Sequence, residues 1–263
     1  MPNLLVFDSG VGGLSVLTEI RQLLPSLELH YLMDNAAFPY GTKADDFLKA
    51  RVLKVCAQAI AELNPDLLVV ACNTASTLAL DALRQQLNIP VVGVVPAIKV
   101  AAQLSTQRII GLLATDATVN RSYTNKLIQD FAADCEVRRF GSAKLVQWAE
   151  NWIDKQQQPT ELFEHLNPWL SSSPELTHVV LGCTHFPLLK PQLCQLWPHI
   201  TWVDSGAAIA KRVEFLLGKQ ATNSPAPLHL HWTANFAPAA GVIHYLQQLG
   251  EADEQGSIFS VVS

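Results

Sequence analysis

Short apolar runs alternate with stretches of helical periodicity along the whole chain, and no other feature limits the fold as much. The runs fall at 3–8, 29–33, 67–71, 91–95, 109–114, 136–140, 177–182, 200–203 and 228–232. Between several of them, apolar residues recur at helical spacing. In 44–63, Phe47, Leu48, Val52, Val55, Ala59, Ile60 and Leu63 form one stripe, and Pro65 follows as a stop. Strands that alternate with helices pack as parallel sheets covered on both faces, an α/β architecture. A chain of 263 residues has room for one large domain or two small ones.

The chain also repeats itself. DLLVVACNT (66–74) is similar to THVVLGCTH (177–185). Each is followed by a helical stretch, then by a short strand and a small-residue turn: IPVVGVVPAIK (89–99) and ITWVDSGAAIAK (200–211). Upstream, NLLVFDSGVGG (3–13) occupies the place of RIIGLLATDATV (108–119). Two similar α/β units are expected, with a crossover near 97–107. GKQATNSPAP (218–227) reads as a loop by composition. The strand and helix after it are expected to return to the first unit.

Composition narrows the function. With 49% apolar and 16% charged residues, the chain is globular rather than disordered. A net charge of -5 without any basic run argues against nucleic acid as a partner. The opening MPNLLVFDSG lacks the basic region of a signal peptide, and no apolar run is long enough to span a membrane. A cytoplasmic protein with reduced thiols is expected. The odd number of cysteines, at 56, 72, 135, 183 and 194, is no disulfide framework.

In open parallel sheets, ligands bind beyond the carboxyl ends of the strands. Three polar clusters fall there: Asp8-Ser9-Gly10, Cys72-Asn73-Thr74 and Cys183-Thr184-His185. A helix N-terminus at such a place suits a carboxylate ligand and is expected to lower the pKa of a thiol. The ordinary fate of a cysteine is buried packing. That suits Cys56, on a helical stripe, and extends to Cys135 and Cys194. It suits Cys72 and Cys183 poorly, because they hold matching places in two repeats. Two equivalent acid/base groups facing one carbon are what racemisation needs, and each requires a tuning partner. Asp8 can serve Cys72, and His185 can serve Cys183. Singly, Asp8 before Ser-Gly reads as a turn residue and His185 as a structural histidine. Cys183-x-His185 has no second Cys/His pair at zinc spacing, so no metal is expected. DSGVGG lacks the lysine and spacing of a nucleotide loop.

Taken together, FDSGVGGLSV (7–16), DNAAFPYGTK (34–43), VACNTAST (70–77), ATDATVNRSY (114–123), LGCTHFPLL (181–189) and VDSG (203–206) resemble the glutamate racemase family of the aspartate/glutamate racemase superfamily. The resemblance implies two α/β domains related by a pseudo-twofold axis, 1–97 plus 208–263 and 98–207, with glutamate bound between them. It implies no cofactor: neither pyridoxal phosphate, metal nor nucleotide. Cys72 and Cys183 match the catalytic bases, with Asp8 and His185 their assisting groups. Ser9, Tyr40, Gly41, Asn73, Thr74, Thr118 and Thr184 match substrate contacts, shared with Asp8 and His185. Glu150, in LVQWAE, resembles the family's acidic residue near the second thiol. The implied activity is interconversion of L- and D-glutamate, supplying D-glutamate for peptidoglycan and cell-wall biogenesis. Dimers are common in the family, and no sequence feature fixes an interface. Two alternatives stand beside this: a racemase of the same superfamily acting on aspartate or another amino acid, and a non-catalytic two-lobed amino-acid-binding protein.

Overall fold

The computed structural model describes residues 2–218, 224–250, 256–259 and 261. They form two parallel sheets with helices on their faces. In the first, β1 (Asn3–Asp8) lies between β2 (Glu28–Met33) and β3 (Leu67–Val70), and β4 (Val91–Gly93) flanks β3. In the second, β5 (Ile109–Ala114) lies between β6 (Glu136–Gly141) and β7 (His178–Leu181), and β8 (Thr201–Val203) flanks β7. Both units thus run in the order second, first, third, fourth strand, as the repeat in the sequence requires. Two later strands, β9 (Leu228–Trp232) and β10 (Ser257–Ile258), extend the first sheet beyond β2. Every pairing is parallel.

The first unit's helices are α1 (Leu14–Leu23), α2 (Asp45–Leu63) and α3 (Asn73–Gln86), whereas α4 (Ile98–Leu104) follows β4 but packs on the second sheet, against β5 and β7. The second unit carries α5 (Asp116–Asn120), α6 (Ser122–Phe131), α7 (Lys144–Lys155), α8 (Leu162–Ser171) and α9 (Lys190–Leu196), and α10 (Gly206–Leu217) comes next. Last comes α11 (Ala240–Gln248). Strands β1 and β3 are buried almost throughout, which is why they read as unbroken apolar runs rather than alternating ones. Helix α10 follows the last strand of the second sheet but packs on α1, so the chain has crossed back before β9 joins β2.

All nine expected strands are present, with ends shifted by at most two residues. The tenth, β10, is two residues long and gave no periodic signal. Of the loop expected at 218–227, residues 219–223 lie outside the described residues. Three side chains depart from expectation. Phe47 is 52% exposed although it was placed on the apolar stripe of α2. It sits one residue before buried Leu48, about 100° round the helix and turned outward. By the same geometry Cys194, next to buried Leu193 on α9, is exposed. Cys135 is only half-buried, whereas Cys56 is fully buried on α2 as its stripe demands.

Candidate active site

The carboxyl ends of the two sheets face one small cavity. Its walls come from both units: Ser9, Tyr40, Gly41, Cys72, Asn73 and Thr74 on one side, and Thr115, Cys183, Thr184 and His185 on the other. The cavity encloses about 140 Å³. That is well below the ~300–1,000 Å³ of drug-sized pockets, so the ligand is small. Among the described residues lining it there is no lysine or arginine.

Cys72 occupies the cap position of α3, directly beyond β3, and Cys183 stands two residues beyond β7. Their surroundings carry opposite charge. Beneath Cys72 lies Asp8, the last residue of β1, which is fully buried and within hydrogen-bonding reach of the thiol. Asp8 Oδ1 accepts the Ser9 N–H at 2.7 Å, and Oδ2 accepts the Gly13 N–H. Burial raises its pKa to about 6; His185, the two backbone N–H groups and the Cys72 thiol offset part of that rise. Burial likewise pushes the Cys72 thiol well above its ordinary value, and the Asp8 charge adds to this, against a hydrogen bond from the Ala75 backbone. The helix N-terminus was expected to lower this pKa. Desolvation and a neighbouring carboxylate outweigh it.

Beside Cys183 stands a cationic partner. His185 Nδ1 lies 3.7 Å from Cys183 Sγ, and Nε2 lies 2.8 Å from Glu150 Oε1. Burial disfavours the imidazolium, but hydrogen bonds and charge from Cys183 and Glu150 together hold the His185 pKa well above its ordinary value. Glu150 Oε1 also accepts the Val11 N–H at 2.9 Å. It therefore fixes the ring, with Nδ1 turned toward the sulfur. Thiol, imidazole and carboxylate form one line, the arrangement by which an acid/base group is oriented by a third residue.

The glycines of DSGVGG serve close packing here. A Cβ on Gly12 would press on His185 Nδ1 and lie 2.7 Å from Thr184 Oγ1 and 2.8 Å from Asp8 Oδ2. Only a residue without a side chain lets the loop pass between the two thiols' partners. The loop after β2 is tied down by Asp34, which accepts from Tyr40 Oη at 2.6 Å, Arg51 at 2.6 and 3.0 Å, and Thr233 Oγ1 at 2.6 Å. These bonds hold Pro39-Tyr40-Gly41 against the cavity. Because its hydroxyl is bound to Asp34, Tyr40 presents its ring to a ligand.

Nine of the residues expected to touch substrate or transfer protons line the cavity. Asp8 and Glu150 lie behind Cys72 and His185. Thr118 is fully buried behind Thr115, whose Oγ1 donates to Thr118 Oγ1 at 3.0 Å. The wall residue is therefore Thr115, which caps α5 by accepting the Thr118 N–H. A threonine between a strand and Asp-Ala-Thr is an N-cap signal that could have located it. Gln147 also lines the cavity, one helical turn before Glu150 on α7. Its signal was the three-residue spacing that puts both on one face.

Residues 11–213 match the Asp/Glu/Hydantoin racemase family. The chain belongs to this racemase family. It is 50% identical to the glutamate racemase of Serratia proteamaculans over 222 residues, covering 83% of this chain and 77% of that one. It is 48% identical to the glutamate racemase of Escherichia fergusonii over 254 residues, covering 95% of this chain and 89% of that one. Its fold matches that of Escherichia coli glutamate racemase, solved with L-glutamate and the activator UDP-MurNAc-Ala, at a TM-score of 0.91 and 45% identity, covering 100% of this chain and 99% of that one. The racemase fold thus extends over both sheets, with the matched thiols at their facing ends. Among the described residues no helix is long and apolar enough to cross a membrane.

Proposed function

We propose that this protein is a glutamate racemase that moves the α-proton between Cys72 and Cys183 without a cofactor. The observation that carries the reading is the pair of thiols from matching places in two sheets, lining one small cavity with partners of opposite charge. With Asp8 as a carboxylate, Cys72 is held as a thiol. With His185 as an imidazolium, Cys183 faces a cation 3.7 Å from its sulfur. The resting site is set for L-glutamate: Cys183 removes the α-proton from one face, and Cys72 donates its proton to the other. The products are D-glutamate, a Cys72 thiolate and a Cys183 thiol. In reverse, Cys72 takes the proton from D-glutamate and Cys183 supplies the new one.

With no lysine or arginine among the described residues of the wall, the substrate carboxylates would be received by backbone N–H groups at the helix starts and by the hydroxyls of Ser9, Thr74 and Thr184. Tyr40, Gly41 and Asn73 complete the substrate wall, and Thr118 acts through Thr115. The proposal takes 1–97 plus 208–263 and 98–207 as the two domains; β9 joining β2 and α10 packing on α1 support that division. The product would feed peptidoglycan synthesis, a reading supported by the activator UDP-MurNAc-Ala bound to the E. coli relative. A cytoplasmic place of action is supported by five free cysteines. A homodimer rests on the family's habit.

The test is racemisation in heavy water. With glutamate and no added cofactor, deuterium should enter the α-carbon of the product enantiomer while recovered substrate gains almost none at early times. Cys72→Ala and Cys183→Ala should each lower racemisation by about 100-fold or more. The double variant should be little worse than either, because the pair acts as one unit. Equal early labelling of both enantiomers, or near-normal turnover by either variant, would rule out the paired-thiol mechanism. Equal efficiency on aspartate would reassign the substrate.

A further inference from the structure

Glu28 and His30 lie two residues apart on β2 and so project from one face of the sheet. His229 on β9 is the register partner of His30, which brings a third ligand-type side chain to the same face. Glu28 Oε1 lies 3.6 Å from His30 Nε2 and 3.4 Å from His229 Nε2. All three donor atoms lie within 4.8 Å of one another. Both distances from the carboxylate exceed the ~2.7–3.2 Å of an N–H···O hydrogen bond. They match a different geometry. Ligands held ~2.0–2.2 Å from one tetrahedral ion stand about 3.4 Å apart.

We propose that Glu28, His30 and His229 bind a first-row divalent transition-metal ion of the zinc class. Two imidazoles and one carboxylate suit zinc or cobalt rather than magnesium or calcium, which take oxygen ligands. The ring orientation is prepared. His30 Nδ1 lies 3.1 Å from His231 Nε2, and His231 Nδ1 lies 2.7 Å from Ser257 Oγ on β10. This hydrogen-bonded chain turns His30 Nε2 toward the carboxylate, as the outer partners of metal-bound histidines do. His30 is buried, while Glu28 and His229 are half-buried, leaving an opening for entry and for a water in the fourth position. The site lies at the amino end of the strands, opposite the thiols: Glu28 pairs with Asn3, whereas Asp8 pairs with Met33. Its role is structural. The ion clips β9, the strand on which the chain returns to the first sheet, to β2.

The experiment is a titration of chelator-dialysed full-length protein with Co²⁺, then Zn²⁺. Co²⁺ should bind with the weak visible bands of a nitrogen/oxygen set and no sulfur-to-metal charge-transfer band, and Zn²⁺ should displace it. Zn²⁺ should also raise Tm. His229→Ala and the milder Glu28→Gln should lower affinity by about 100-fold and abolish the Tm rise. His231→Ala should lower affinity by about 10–100-fold. Glutamate racemisation by Glu28→Gln should equal that of the unaltered protein. Absence of Co²⁺ binding, a charge-transfer band showing the ion on thiols, or unchanged affinity in Glu28→Gln would overturn the proposal. None of these outcomes bears on the racemase reading.

Discussion

A carboxyl group that titrates near 6, against 3.8 in an open chain, is held in its fold at a cost. For Asp8 the sign is that of a buried acid. The folded state favours the protonated form, so the contribution of Asp8 to stability is fully present below pH 3.8 and is lost as pH rises through about 6. At neutral pH the ionised carboxylate costs about 3 kcal/mol, from roughly 1.36 kcal/mol per unit. What this gains is a proton acceptor beside Cys72 whose charge changes near working pH. Racemisation from D-glutamate, which on the proposed mechanism starts at Cys72, should therefore fall as pH drops through about 6. Asp8→Asn should be slow and lack that limb. The check is kcat/KM for D-glutamate between pH 5 and 8; a limb retained by Asp8→Asn would remove the carboxylate from the reaction. His185 titrates in the other sense. Raised by its sulfur and carboxylate neighbours, it remains cationic at pH values where a free histidine has lost its proton.

At the scale of elements, each side chain proposed to move a proton sits where a strand stops. Asp8 is the last residue of β1, and the turns after β3 and β7 carry Cys72 and Cys183. The turn after β1 threads between Asp8 and His185, a passage that admits no Cβ at Gly12. Gly12→Ala should keep its circular dichroism spectrum yet lose about 100-fold in kcat/KM, since a misplacement of about 1 Å costs that much. Normal turnover would show that the turn can give way without moving His185. The Asp34 hydrogen bonds perform a related task, joining the loop before α2, α2 itself and the residue after β9 at one carboxylate. A core residue on β3 or β7 has only to be apolar. A residue at the rim must also have the right neighbour.

The whole molecule places two chemically separate features at opposite ends of its strands. The thiols and their partners occupy the carboxyl rim, and the histidine–glutamate cluster lies toward the amino end of β2 and β9. Dialysis against a chelator should therefore leave racemisation of glutamate unchanged. Loss of activity restored by a metal ion would overturn the cofactor-independent mechanism. On the proposed mechanism the wall makes no such help necessary. The two sulfurs have neighbours of opposite charge, Asp8 beside Cys72 and His185 beside Cys183, and the cavity is too small to admit a bulky prosthetic group beside an amino acid.

The strands, their parallel pairing, the duplication and the two matched cysteines could all be read from order along the chain, because apolar periodicity and repeated motifs are local properties. Local pattern also pointed to Asp8 and His185, since each lies in a strand-end motif. What it could not supply was distance between segments far apart in number. That Glu150 orients His185 from 35 residues away, that Thr115 stands in front of Thr118, and that His30 meets His229 across 199 residues depend on strand register and on the packing of α7 against the turn after β7. The pKa of Cys72 shows the same division. Its place at a helix start is written in the sequence and argues for a reactive thiol. Its burial over an anionic Asp8 arises only when β1 and β3 pair side by side, and in a water-poor site desolvation outweighs the helix end.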